Sequence, residues 1–303
     1  MHFIVLGSAA GGGFPQWNCG CLNCRLARAG DPRTQSRTQA SLAVSGDGER
    51  WTVIAASPDI SQQMQATPEL HPQSGLRHSP IVAVIAPGAE IDQIAGLLTL
   101  REGHRFTLWA TAPTLAILRA PLFDVLQPSL VRRETIALGQ LFGTAAGLAI
   151  TAFVVPGKSP LYLESEGNEE PGLDLGQENE ETIGLEIIEA GRRHYFIPSC
   201  AHITEALRAR IEGAATLIFD GTTHDDDEMI RLGLSAKTAW RMGHVPMCGE
   251  GGSIARLADL RIGRKIYIHI NNSNPVLRSD ARERTAVEKA GWEISHDGMR
   301  FEA

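Results

Sequence analysis

Cys19, Cys21 and Cys24 fall within six residues and carry the strongest chemical signal in the chain. Neither spacing suits an unstrained disulfide, since Cys19 and Cys21 point to opposite sides of an extended chain. If the loop curls, three thiolates can converge on one ion, and Zn²⁺ takes four such ligands in a closed tetrahedral site. Cys-X-Cys-X-X-Cys therefore reads as most of a structural zinc site, against a plain reading of three unrelated buried thiols. The fourth ligand is not adjacent, so a distant segment must fold back to supply it.

A second group of polar residues sits just after apolar runs. Glu90 and Asp92 follow Ile81–Ala86, Asp220 follows Thr216–Phe219, and His269 lies inside the end of Lys265–Ile270. His244 sits in Arg-Met-Gly-His-Val, and Cys200 and His202 follow Tyr195–Pro198. Ending a buried strand on an unpaired carboxylate is expensive. Taken singly, Asp92 or Asp220 reads as a cap or turn former. If the strand ends converge, the joint set of carboxylates and histidines suits Fe²⁺, Mn²⁺ or Zn²⁺ with open positions. No P-loop, HExxH or Ser-His-Asp elbow is present. Gly11–Gly13 leads into Pro15 and the cysteine loop, not into the helix a dinucleotide loop requires.

The elements that must position these groups follow from hydrophobic patterning. Strands are expected at Phe3–Leu6, Arg37–Val44, Trp51–Ala55, Ile81–Ala86, Phe106–Ala110 and Leu148–Val155. Further strands are expected at Ile183–Glu189, Arg193–Ile197, Thr216–Phe219 and Lys265–Ile270, with Trp292–Ile294 and Met299–Glu302 closing the sheet. Helices are expected at Ser61–Ala66, Ile94–Leu100, Thr114–Arg119, Thr204–Ile211 and Arg278–Ala290, and one beginning at Asp225–Glu228. Strands come in two batches, each followed by helices. That order favours a four-layer αββα sandwich over a doubly wound sheet, because early hairpins do not fit the latter. One domain over 1–303 is expected, with a cysteine loop at 14–30 and an acidic loop at 164–181.

Composition narrows the function. A net charge of −7 suggests no nucleic-acid surface. No run approaches the roughly 20 apolar residues of a spanning helix, so no membrane insertion is expected. Five cysteines, three of them clustered, argue for a reducing compartment with a metal over a disulfide framework, and so for a cytoplasmic location.

The segments GSAAGGGFPQWNCGCLNC, SRTQASLAVS, AASPDI, GLLTLREG, FDGTTHDDDEM, MGH and HINNSNPVL together resemble the PqqB family of pyrroloquinoline quinone biosynthesis over essentially the whole chain. That family lies in the metallo-β-lactamase superfamily, which implies the αββα sandwich. The resemblance implies a structural zinc at Cys19, Cys21 and Cys24. In related phosphodiesterases the fourth ligand is a histidine; here that position is Asn272, and Asn272, Asn274 or water would complete the site. The superfamily's His-X-His-X-Asp-His motif aligns with Gly88-Ala-Glu90-Ile-Asp92-Gln93, so Gln93 stands where the last histidine would be.

The implied activity is an iron- and oxygen-dependent hydroxylation of the tyrosine-derived ring in a Glu-Tyr unit. Asp92, Asp220 and His269 would hold Fe(II), and Glu90 or Gln93 would complete the shell. His244 would serve as proton donor or substrate contact, and Lys158 would receive a substrate carboxylate. Expected partners are a small-molecule or dipeptide-derived substrate and other proteins of the pathway. The alternative is a soluble carrier that assists transport of the quinone or its precursor toward the periplasm. A metal-dependent hydrolase is disfavoured by the low histidine count.

Overall fold

The computed structural model describes residues 1–158, 162 and 180–302. Among the described residues, fourteen strands form two seven-stranded sheets. The first sheet has the order β14-β1-β2-β3-β4-β5-β6, from β1 (His2–Gly7), β2 (Ser41–Ser45), β3 (Trp51–Ile54), β4 (Ile81–Ile85), β5 (Phe106–Ala110), β6 (Val131–Thr135) and β14 (Arg300–Glu302). The second has the order β13-β12-β11-β10-β9-β8-β7. Its strands are β7 (Leu141–Thr144), β8 (Leu148–Val154), β9 (Ile183–Glu189), β10 (Arg192–Ile197), β11 (Thr216–Asp220), β12 (Arg264–Ile268) and β13 (Trp292–Ile294). Each sheet is antiparallel on one side and parallel on the other, the parallel halves being β3–β6 and β10–β13.

The period of two along each strand decides the layering. Phe3, Val5, Leu42, Val44, Ile54, Phe196, Ile218, Ile266 and Ile268 meet between the sheets. Their neighbours Ile4, Leu6, Ala43 and Val53 face outward under α2 (Ile60–Gln65), α3 (Ile91–Ile94) and α4 (Ala112–Ile117). On the other sheet Tyr195, Ile197, Leu217, Phe219 and Tyr267 face outward under α5 (Glu205–Ile211), α7 (Ser253–Arg256) and α8 (Arg282–Lys289). Strands buried on both faces leave few polar positions, hence the continuous apolar runs read from the sequence. The result is the αββα sandwich. Tyr267 and Trp292 stack in the outer layer with centroids 4.0 Å apart, and truncating Trp292 to alanine would cost about 3–5 kcal/mol.

Several elements differ from the sequence reading. The helix expected at Ile94–Leu100 is a single turn, α3, followed by a 3₁₀ stretch at Ala95–Arg101. At Gly96 this stretch is pressed against the segment that follows β3: a Cβ there would lie 2.1 Å from the Ser57 carbonyl oxygen. The helix expected from Arg278 starts at Arg282, because Pro275–Leu277 forms a 3₁₀ turn capped by the Asn274 side chain. Residues 37–40 make bridges instead of a regular strand, and β2 begins at Ser41. Strands β6 and β7 were not expected; both are sheet edges with exposed positions and lack an apolar run. A further helix, α1 (Leu22–Arg28), lies inside the cysteine loop. Of the acidic stretch 164–181, residues 164–179 lie outside the described residues.

The chemistry collects where parallel strands end. Asp220 ends β11, His269 directly follows β12, and Asp92 lies in α3 after β4, so all three sit beyond or at the C-terminal ends of parallel strands, the usual location for sites in such sheets. Here the two sheets are also tied together: Ile270 N donates to the Ser8 carbonyl at 3.0 Å, and Ala10 N to the Ile270 carbonyl at 2.9 Å. The Asp297 carboxylate reinforces this end, accepting from Ser8 N at 3.0 Å, Ser8 Oγ at 2.8 Å, Thr38 N at 2.6 Å and Thr38 Oγ1 at 2.7 Å.

Candidate metal centres

Asp220 ends β11 and is fully buried. Its Oδ2 accepts from Cys200 N at 3.0 Å, and its Oδ1 accepts from Thr222 N at 3.0 Å and Thr222 Oγ1 at 2.7 Å. His244 Nδ1 lies 2.7 Å from Asp220 Oδ2. Thr222 Oγ1 also sits 3.1 Å from His244 Nδ1 and 2.9 Å from His269 Nδ1. The two imidazoles stack at 5.3 Å with a 23° interplanar angle. One ligand atom from each of Asp220, His244 and His269 falls within 4.8 Å of the others. A carboxylate and two imidazoles at that spacing fit one transition-metal ion with positions to spare.

Asp92 joins from the other side. Its Oδ2 lies 2.9 Å from His269 Nε2. Burial works against charge on both partners. For Asp92, the hydrogen bond and charge of His269 outweigh that burial and hold the carboxyl below its ordinary value. For His269 the same burial is outweighed by Asp92, then Asp220 and Glu90, and the imidazole is held above its ordinary value. Each partner thereby favours the charged form of the other, and a cation binding His269 competes with a proton.

His269 has φ of +58°. The left-handed region is uncommon for a side chain of this size and costs on the order of 1–3 kcal/mol, so surrounding structure must enforce it. Here the Thr222 hydroxyl lies 3.2 Å from the His269 carbonyl, and Asn271 N donates to the Thr222 carbonyl at 2.9 Å.

The other expected residues are placed as follows. Glu90 precedes α3, with Lys158 Nζ 3.9 Å from its Oε1. Gln93 is buried, and its Oε1 meets no hydrogen-bond partner among the described residues. Gly243 has φ of +83°, and a Cβ there would lie 2.9 Å from Lys158 Cγ, so glycine lets the lysine stem lie beside His244. Tyr162 Oη donates to the Ala89 carbonyl at 2.7 Å. Cys200 supports Asp220 only through its backbone, and exposed His202 stacks on Trp240 at 5.1 Å. Thr222, which contacts three members of the cluster, was not singled out in the sequence reading. Its signal is a hydroxyl two residues past a strand-terminal aspartate.

The cysteine loop curls so that its three thiols face one another. Sulfur atoms of Cys19, Cys21 and Cys24 lie within 4.8 Å of one another. The distant segment that meets them is 271–274: Asn272 Nδ2 is 3.1 Å from Cys19 Sγ, 3.6 Å from Cys21 Sγ and 3.3 Å from Cys24 Sγ. Asn23 fixes that segment, its Nδ2 donating to the carbonyls of Asn272, Ser273 and Asn274 at 3.1, 3.0 and 2.9 Å. Burial pushes the Cys21 thiol up to about 12. At Cys19 burial is outweighed by hydrogen bonds from Cys21, Cys24 and Asn272, which hold that thiol below its ordinary value. The three sulfurs supply three of the four ligands of a tetrahedral zinc site, while Asn272 turns its Nδ2 donor, not its Oδ1 acceptor, toward them.

Among the described residues, no helix is long and apolar enough to cross a membrane. Residues 50–270 match the model of the β-lactamase superfamily domain. The chain is 54% identical over 303 residues to coenzyme PQQ synthesis protein B of Methylorubrum extorquens strain PA1, covering 100% of both chains. It is 55% identical over 308 residues to the protein of that name from Gluconacetobacter diazotrophicus, covering 99% of each. Among solved structures, it is similar to the 1.98 Å crystal structure of Zn²⁺-bound PqqB from Methylobacterium extorquens, with a TM-score of 0.96, 54% identity and 100% of both chains covered.

Proposed function

The chain belongs to the coenzyme PQQ synthesis protein B family of the β-lactamase superfamily, and on that premise we propose that it acts in quinone biosynthesis as a hydroxylase. The reaction would be an iron- and oxygen-dependent hydroxylation of the tyrosine-derived ring of a Glu-Tyr precursor. The carrying observation is the donor set of Asp220, His244 and His269, with ligand atoms within 4.8 Å. Two imidazoles and one carboxylate with open positions is the set used by non-haem Fe(II) oxygenases. From the sequence, Asp92 with Asp220 and His269 would hold the iron, and His244 would be a proton donor or substrate contact. We assign His244 to the ligand set in place of Asp92, since it shares Asp220 and Thr222 with the other members, while Asp92 meets only the far side of His269.

Bound there, Fe(II) would supply the redox chemistry that activates O₂. The chain's own residues bind and orient. Asp92 fixes the His269 ring through Nε2. Thr222 fixes the cluster from beneath through one hydroxyl. Lys158, at the Glu90 edge, would pair with a carboxylate of the precursor. The thiolates of Cys19, Cys21 and Cys24 would hold zinc for architecture, and Asn272, whose Nδ2 donates to the sulfurs, would complete the site through Oδ1 once its amide turns.

Anaerobic loading with Fe(II), followed by O₂, a two-electron reductant such as ascorbate and the Glu-Tyr substrate, tests this reading; the reductant supplies the electrons that take the second oxygen atom to water. A product carrying one added oxygen atom is expected. Iron-loaded protein that yields no oxygenated product would overturn it. The carrier reading has one observation in its favour: Gln93 offers a neutral amide where the family motif has imidazole.

A further inference from the structure

Outside both centres, a third group of ligating side chains converges beside the loop after β11. We propose that His224, Asp225 and Cys248 form a separate site for a zinc-class divalent cation. One ligand atom from each falls within 4.8 Å of the others. The residues come from two segments: His224 and Asp225 follow β11, while Cys248 follows His244 and Met247. Backbone hydrogen bonds already hold these segments side by side, from Cys248 N to the His224 carbonyl at 2.9 Å and from Met247 N to the Thr223 carbonyl at 3.0 Å.

The second observation is the state of His224. The residue is 7% exposed, and its Nδ1 is buried without a hydrogen-bond partner among the described residues. That nitrogen lies 3.2 Å from Asp225 Oδ2. Ligands about 2.0–2.2 Å from a tetrahedral ion stand roughly 3.3–3.5 Å apart, so the separation matches one edge of such a site. A buried imidazole left without a partner is costly, and coordination removes that cost. The plain alternative is an ion pair of His224 with Asp225. It leaves the nitrogen poorly aligned and gives the neighbouring thiol no role.

Thiolate, imidazole and carboxylate together select a borderline-soft ion, Zn²⁺ over Mg²⁺ or Ca²⁺. Three protein ligands leave the fourth position to water on the exposed Cys248 side. Arg231 donates to the same Asp225 oxygen at 2.8 Å and competes with the cation. The site is therefore weaker than the Cys19, Cys21 and Cys24 centre. Its occupancy would clip together the two segments that carry Asp220 with Thr222 and His244.

The test follows alkylation of Cys248 by iodoacetamide in the full-length protein, by peptide mass spectrometry, with and without added Zn²⁺. Zn²⁺ should slow alkylation about tenfold or more in the wild type and less than about twofold in His224→Gln and Asp225→Asn. Cys248-specific readout keeps the other centres from interfering. Asp225 is only partly buried, so Asp225→Asn decides the matter should His224→Gln fail to fold. No protection in the wild type overturns the proposal. Equal protection in the wild type and the variants also overturns it, since that would be a lone thiol binding zinc.

Discussion

His269 Nε2 sits 2.9 Å from Asp92 Oδ2, joining residues 177 positions apart and one from each sheet's loops. The ring's other nitrogen lies 2.9 Å from the Thr222 hydroxyl. An ion bound to His269 would take the place of one of these two contacts, and the other contact, with the left-handed backbone, would keep the ring oriented. Rigid ligands lower the entropic cost of capturing an ion, so the contacts behind the ligands should matter almost as much as the ligands.

Thr222→Val tests that point. The change keeps shape and removes the hydroxyl that touches Asp220, His244 and His269. Fe(II) affinity should fall about 10–100-fold. Stability should fall by about 1–2 kcal/mol, because Asp220 loses one of its buried donors. Equilibrium dialysis against Fe(II) and a denaturant titration read the two effects. Unchanged affinity would show that Thr222 serves packing alone.

Asn272 faces all three clustered sulfurs. Asn272→His should replace a weak amide with imidazole and slow zinc loss to a chelator by about tenfold or more. Cys21→Ser should lower zinc content by one equivalent and destabilise the pairing of the cysteine loop with segment 271–274. Metal analysis of the two variants beside the wild type checks both outcomes. Equal zinc content in Cys21→Ser and the wild type would remove Cys21 from the site.

Glu228 gives a pH dependence. Burial, opposed by hydrogen bonds from Ser273 and His224 N, pushes its carboxyl up to about 7. In an unfolded chain the value is about 4.3. Between the two, the native state keeps a proton that the unfolded chain has released. Stability is therefore greatest below the unfolded value and is lost as pH rises toward 7, by roughly 4 kcal/mol at most. Glu228→Gln should abolish this decline and leave the variant the more stable form at pH 8. Melting temperatures from pH 4.5 to 8 decide it; parallel profiles for both proteins would count against the shift.

Gln93→His distinguishes the two proposed roles. If the centre turns over, restoring an imidazole at this buried position should raise iron content and product formation together. If the protein is a carrier, quinone affinity should persist and no turnover should appear in either form. Iron analysis, product detection and a binding titration on the same preparations separate the cases.

The sequence by itself determined the layers and the residues with chemical capacity. Period-two patterning and continuous apolar runs located most strands, because burying a sheet on both faces leaves little room for polar residues. Three cysteines in six residues pointed to a metal loop, because the spacing falls among short metal-site patterns and suits no unstrained disulfide. Edge strands β6 and β7 were not legible, since their exposed faces impose no apolar pattern. Only the tertiary structure decided which groups meet. His244 joins Asp220 across 24 positions, Thr222 sits beneath both histidines, and Asn272 covers sulfurs some 250 positions away. Such meetings depend on how two sheets pack and how loops leave the parallel strand ends. A ligand's partner is then set by distance in space, which linear spacing does not encode.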